Sequence, residues 1–154
     1  MNLHEWATRW GVSPAALADL RARLVAVNTD PAAPSDTTTE AGAQDAVRLE
    51  ASAKGGRLWR NNLGATIDNR GNYLRYGLAN DSKQMNELIK SSDLIGIRPV
   101  TVAGVTIGQF MAREIKAPGW VYKGTKREQA QLRFLELVAG LGGDAQFSTG
   151  EGTI

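Results

Sequence analysis

The sequence predicts an α/β (α+β) fold: helices flanking a set of strands, preceded by a small N-terminal helical hairpin. Three observations carry this. Helix-period stretches over 37–54 and 126–141 each end in a glycine pair, Gly55-Gly56 and Gly142-Gly143. Between them, strand-like runs over 57–62, 65–76, 91–97 and 105–116 are broken by turn residues. A Pro-containing segment, Asn28 to Asp36, divides the chain into a hairpin (1–27), a linker (28–36) and a main domain (37–154).

Composition narrows the chemistry. The chain has 154 residues, 42% hydrophobic and 22% charged, as expected of a globular domain with a proper core. No apolar run approaches the ~18 residues of a membrane span, and the N-terminus lacks a basic start and an apolar h-region, so neither a membrane partner nor a secretory signal is expected. Cysteine is absent, which excludes disulfides, thiolate zinc sites and cysteine nucleophiles and fits a reducing cytoplasm. The one histidine, His4, argues against a histidine metal site or a Ser-His-Asp triad. An enzyme built from this chain must therefore work with carboxylates, lysine and a metal. The net charge of +2 is too small to name a partner.

Taken in order, His4 to Trp10 is a short helix with Trp6 and Trp10 on one face, stopped by Gly11. Ser13 is an N-cap with Pro14 at the first helical position, and Leu17, Leu20, Leu24 and Val25 form the stripe of the next helix. The rhythm is that of a helix-turn-helix, but few basic residues open the second helix, and a plain packing hairpin is preferred. Thr37 or a neighbouring threonine opens the helix to Lys54, and Thr37 to Glu40 fits a capping box in which Glu40 reaches back to the N-cap amide. Glu40, Gln44, Val47 and Ala51 share one face. Arg57 to Asn62 is a strand with a polar end, and Ala65 to Tyr76 a hairpin turning at Asn69 to Asn72. Leu78 to Lys90 is irregular, with a helical turn near Met85 to Ile89. Asp93 precedes the apolar strand Leu94 to Ile97, where it caps a turn or faces a ligand at the sheet edge. Thr125 to Glu128 is a second capping box, Gln131 lies on the buried stripe of the last helix, and Asp144 to Ser148 is an edge strand before a flexible tail.

The strand Gln109 to Lys116 holds the most informative pattern. Alternation places Phe110, Ala112, Glu114 and Lys116 on one face and Met111, Arg113 and Ile115 on the other. Glu114 and Lys116 are about 7 Å apart along the strand. Such a pair is either an exposed ion pair of small energetic weight or a carboxylate that holds a divalent cation beside a lysine that orients water. An antiparallel turn over 99–104 would bring Asp93 towards Glu114.

The residues Glu40 and Gln44, Arg60-Asn61-Asn62-Leu63-Gly64, Tyr76-Gly77-Leu78, Ser91 to Gly96, Glu114-Ile115-Lys116 and Gln131 to Leu135 before Gly142-Gly143, in this order, resemble the VRR-NUC (virus-type replication-repair nuclease) family of the PD-(D/E)xK nuclease superfamily. The resemblance covers 40–148 and not 1–36. It implies a nuclease core with a mixed central sheet flanked by helices, and Mg²⁺- or Mn²⁺-dependent hydrolysis of DNA phosphodiesters. Asp93, Glu114 and the Ile115 carbonyl match the metal ligands, with Glu40 as a further metal or water ligand. Lys116 matches the catalytic lysine and Gln131 the glutamine of the last helix. Arg60, Asn61 and Asn62 match the strand end that faces DNA; Lys90, Ser91 and Ser92, beside the metal-binding aspartate, are expected to join them. The family departs from this chain in having a shorter stretch between Gly77 and Ser91. It further implies a homodimer acting on branched or junction (Holliday-type) DNA in phage or bacterial replication or repair, in the cytoplasm of a bacterial or phage-infected cell, with no small-molecule cofactor. The alternatives are a non-cleaving DNA-binding or phage-assembly protein on the same fold, and a restriction-type duplex endonuclease.

Overall fold

The computed structural model describes residues 3–25, 30–31 and 36–154. Most of the expected 28–36 linker, and the end of the 1–27 unit, lie outside the described residues. The described chain is a mixed α+β structure with a four-stranded mixed sheet. Its first two helices, α1 (Leu3–Arg9) and α2 (Pro14–Val25), bury Ala7 and Leu17 respectively. Ser13 caps α2 as expected, its Oγ accepting from the Ala16 amide at 3.1 Å. The expected stripe of α2 is covered only in part: Leu20 and Leu24 are exposed.

Helix α3 (Glu40–Ala53) starts later than the capping-box reading placed it. Thr39 is the N-cap and accepts from the Gly42 amide at 3.1 Å. Three consecutive threonines could each cap; the Asp36 carbonyl selects Thr39 by accepting from its amide (3.1 Å) and its hydroxyl (2.7 Å). Glu40 is therefore the first helical residue, not the one that reaches back to the cap. An acid there still faces the positive end of the helix dipole.

The sheet has the order β1-β4-β5-β6, with β1 (Arg57–Arg60), β4 (Leu94–Val102), β5 (Val105–Ile115) and β6 (Asp144–Ser148). β1 runs antiparallel to β4 and β4 to β5, while β6 is parallel to β5. A parallel neighbour needs a crossover, and α5 (Lys126–Gly140) supplies it. The hairpin β2 (Gly64–Ile67) and β3 (Tyr73–Tyr76) forms a separate two-stranded sheet, and α4 (Lys83–Leu88) follows it. α4 occupies the stretch expected to carry a helical turn.

The strict alternation of β5 divides the core in two. Met111 and Ile115 face α3 and pack with Ala43, Val47, Ala51, Leu58 and Leu94. Ala112 faces α5 and packs with Phe134, Leu135 and Val138. The sheet is thus sandwiched between one helix on each side, and Glu114 and Lys116 lie on the α5 side. β1 and β4 approach so closely at Gly96 that a Cβ there would sit 1.8 Å from the Arg57 carbonyl oxygen. Gly96→Ala is therefore expected to destabilise by at least about 1–3 kcal/mol, read as a lower midpoint in urea, because backbone rather than a side chain must move.

The tail corrects a second expectation. Residues 149–154 are tied down, not loose. Arg113, 1% exposed, donates from Nε to the Thr153 carbonyl at 2.9 Å and from its guanidinium to Asp144 Oδ2 at 2.7 Å. Glu50 accepts from the Gly152 amide at 2.9 Å, Lys54 Nζ donates to the Ile154 carbonyl at 2.6 Å, and Ile154 packs on the α3 core. No helix among the described residues is long and apolar enough to cross a membrane.

Candidate functional site

The β4–β5 register sets Leu94 opposite Arg113, so Asp93 arrives beside the end of β5, as the antiparallel expectation required. Asp93 Oδ2 accepts from the Ile115 amide at 2.9 Å. This bond fixes the carboxylate across the strand end and leaves Oδ1 accepting from no group among the described residues. The carboxylate lines an open cleft of about 510 Å³ together with Gln44, Arg60, Asn61, Asn62, Leu63, Tyr76, Lys90 and Arg127.

Glu114 is 1% exposed, far from the surface ion pair that its spacing to Lys116 also allowed. Its Oε1 accepts from Lys116 Nζ at 2.8 Å and from Gln131 Nε2. Lys116 Nζ also donates to Gln131 Oε1 at 3.1 Å, closing a triangle of carboxylate, ammonium and amide. The Trp120 and Phe147 rings each lie 5.7 Å from the ammonium, close enough for cation–π attraction. Burial pushes the Glu114 carboxyl up to about 7, and the Asp93 carboxylate adds to the shift, which the Lys116 ammonium opposes.

The structure thus brings Asp93, Glu114, Ile115, Lys116 and Gln131 together at one end of β5. Asn61 buttresses the approach to Asp93: its Nδ2 donates to Ser91 Oγ and to the Ser92 carbonyl, both at 2.9 Å, and its own amide donates to the Asp93 carbonyl at 2.7 Å. Ser91 and Ser92 are buried and spend their hydroxyls on the Leu78 and Leu94 carbonyls, so they shape this turn rather than present donors to a ligand. Arg60 and Asn62 are exposed at the cleft. Glu40 is exposed at the start of α3, and it is Gln44, one turn further, that lines the cleft. Among the described residues, no group of three acidic or histidine side chains gathers as metal ligands.

The donor set nonetheless suits a hard divalent cation: two carboxylates, each with an oxygen that accepts no hydrogen bond among the described residues, and a neighbouring backbone carbonyl. Burial first, and the Asp93 carboxylate second, raise Glu114, and a cation bound there would offset both.

Arg127 was not among the expected site residues; Tyr76 belongs to the stretch that carries the family resemblance and could line a nucleic-acid surface, though ordinary hairpin packing was the preferred reading. A signal for Arg127 was present: Lys126 and Arg127 put two cations into the first helical turn, where the dipole favours acids. Glu128 anchors the loop before them. It accepts from Trp120 Nε1 at 3.0 Å, from the Lys123 amide at 3.2 Å and from the Thr125 amide at 2.9 Å, completing the expected capping box. The Thr125 amide is the main cause holding the Glu128 carboxyl below its ordinary range. A depressed acid stabilises the fold above its unfolded pKa and loses that contribution as pH falls through its folded one. Glu128→Gln is expected to lower the Tm at pH 7, and the difference from wild type is expected to shrink as the pH falls below the ordinary glutamate range.

Compared with protein-family models, with curated proteins and with solved structures, the chain gives no significant match.

Proposed function

We propose that the protein is a divalent-metal-dependent endonuclease of the VRR-NUC type, hydrolysing DNA phosphodiesters on a PD-(D/E)xK core. The observation that carries the reading is the assembly at the end of β5: Asp93 and the buried Glu114 repelling one another, with Lys116 beside them, at the edge of a basic cleft. A mixed sheet covered by one helix on each face supports the core assignment.

Asp93, Glu114 and the Ile115 carbonyl would hold Mg²⁺ or Mn²⁺, with Glu40 a further candidate. When bound, the ion lowers the pKa of a coordinated water and offsets charge on the phosphorane-like transition state. Gln131 holds the Glu114 carboxylate through Oε1, and the other oxygen accepts no hydrogen bond among the described residues. Lys116 orients the attacking water or holds a phosphate oxygen. Arg60, Asn62 and Lys90 bind the DNA backbone, and Asn61, through Ser91 and Ser92, holds Asp93 in place. Branched or junction DNA is the leading substrate, in phage or bacterial replication or repair in a reducing cytoplasm. A homodimer belongs to the same reading; the exposed Val102, Val105 and Ile107 on the free end of the β4–β5 arm support it.

One observation favours the non-cleaving reading: among the described residues, no third acid joins Asp93 and Glu114. The test is cleavage of labelled four-way junction, flap, single-stranded and linear duplex DNA with Mg²⁺, Mn²⁺ or EDTA. Metal-dependent cutting that Asp93→Ala abolishes is expected, strongest on branched DNA. Cutting of plain duplex at fixed sites would replace the junction enzyme with a restriction-type one. DNA binding without cutting of any substrate would leave the binding-protein reading.

A further inference from the structure

The cations of the cleft do not stop at its edge. Lys90 and Arg127 line the cleft that contains Asp93, and they also line a second groove with Asn86, Glu87, Lys126 and Ala130. They form the ridge between the two. The second groove runs between α4 and α5, whose first turn carries Lys126 and Arg127. Among the described residues neither Lys90, Lys126 nor Arg127 forms an ion pair; the acid of that groove, Glu87, lies 3.9 Å from Lys83 instead. Lys90 is half-buried, and its ammonium is held below the ordinary lysine range by burial first and by the Arg127 guanidinium second. The Glu114 and Asp93 carboxylates offset part of this repulsion from the cleft side, and an anion lying along both hollows would offset the rest. A mononucleotide would fill one hollow; a polyanion with several phosphates fits both.

We infer that the Lys90–Arg127 ridge, with Lys126 beyond it, leads a nucleic-acid strand from the Asp93 cleft into the groove between α4 and α5, which is a second backbone-binding site. This rests on the nuclease reading for the choice of DNA as the polyanion, but its test needs no cleavage.

The experiment is binding of fluorescently labelled DNA to the full chain in EDTA over a series of salt concentrations. The probes are a 16-nucleotide single strand, a duplex of the same length and a three-nucleotide strand, and the proteins are wild type, Lys126→Gln and Arg127→Gln. Lys126→Gln is expected to weaken the 16-nucleotide single strand or the duplex about three- to tenfold and to reduce the salt slope by about 0.7 to 1, the value for one phosphate contact. The three-nucleotide strand, which reaches only the first cleft, is expected to lose affinity with Arg127→Gln and not with Lys126→Gln. Unchanged affinity and slope for both long probes with Lys126→Gln overturns the inference, as does an equal loss for short and long strands. Both side chains are exposed, so folding is preserved and an unchanged Tm confirms it. A chain that binds along this track but cuts nothing keeps the second site and loses the nuclease; one that cuts while Lys126→Gln is silent does the reverse.

Discussion

Lys116→Ala is expected to reduce metal-dependent DNA cleavage by at least about a hundredfold, comparable to removing one preorganised charge-stabilising donor elsewhere. The ammonium is the cation nearest the acid pair, 2.8 Å from Glu114 Oε1, and the Trp120 and Phe147 rings restrict where it can go. The substitution also removes the partner of a buried carboxylate. Breaking a buried pair from one side costs about 3–5 kcal/mol when the remaining charge persists. Here Glu114 can escape much of that cost by keeping its proton, because its carboxyl already titrates at about 7. The loss of stability is therefore expected to be small at pH 5.5 and larger at pH 8.5. Lys116→Arg separates the two roles. Its guanidinium can still pair with Glu114, restoring the Tm at pH 8.5, while its planar fork cannot place a donor where the ammonium stood, so cleavage is expected to stay low. Single-turnover cleavage and thermal unfolding, measured side by side at both pH values, read this out. Cutting by Lys116→Ala within about threefold of wild type would remove the lysine from the mechanism.

The parts of this site that were legible in the sequence are those set by local periodicity. The period of two along β5 placed Glu114 and Lys116 on one face and Met111 and Ile115 on the other, and the two core clusters divide along that line. The antiparallel pairing that carries Asp93 to the Ile115 amide was expected, but not its turn: residues 99–102, read as part of the turn, continue β4, and only Ala103 and Gly104 separate it from β5. What was not legible depends on partners far along the chain. The tail is small and polar and reads as loose, yet Glu50 and Lys54, about a hundred residues earlier, hold it. Arg127 and Tyr76 each carried a local signal, but that they meet in the cleft depends on where α5 and the β2–β3 hairpin sit against the sheet, which those signals do not encode. The nearly complete burial of Glu114 likewise required α5 to cover the strand end; on spacing alone a solvated ion pair was the preferred reading of the pair.

Glu114→Gln is expected to flatten the pH dependence of the metal-free protein's stability between about pH 5 and 8, whatever the loss of the Lys116 counter-ion costs at every pH, and to remove the response of its stability to metal. The sign follows from proton binding. The folded carboxyl is raised to about 7 while the unfolded one titrates near its ordinary value of 4.5, so the folded state holds the extra proton between them. The stability this group contributes is full below about 4.5 and is lost as pH rises towards 7, by an amount on the order of 3 kcal/mol. Glu50 and Glu128, whose carboxyls are depressed, act in the opposite sense and lose their contributions in acid. Together they predict that the wild-type protein in EDTA unfolds at its highest temperature near about pH 5. Mg²⁺ or Mn²⁺ added at pH 8 is expected to raise the Tm of wild type, equivalent to about 2.7 kcal/mol at a hundredfold excess over Kd. Glu114→Gln keeps the amide shape and can bond to Gln131 with no charge to desolvate, so its Tm in EDTA is expected to stay level from pH 5 to 8 and to shift little with metal. Differential scanning fluorimetry of both proteins across that range, with and without metal, is sufficient. A wild-type Tm in EDTA that climbs steadily from pH 5 to 8 would mean that Glu114 is not the strained carboxylate its burial makes it. A metal response that survives Glu114→Gln would move the cation site to other residues.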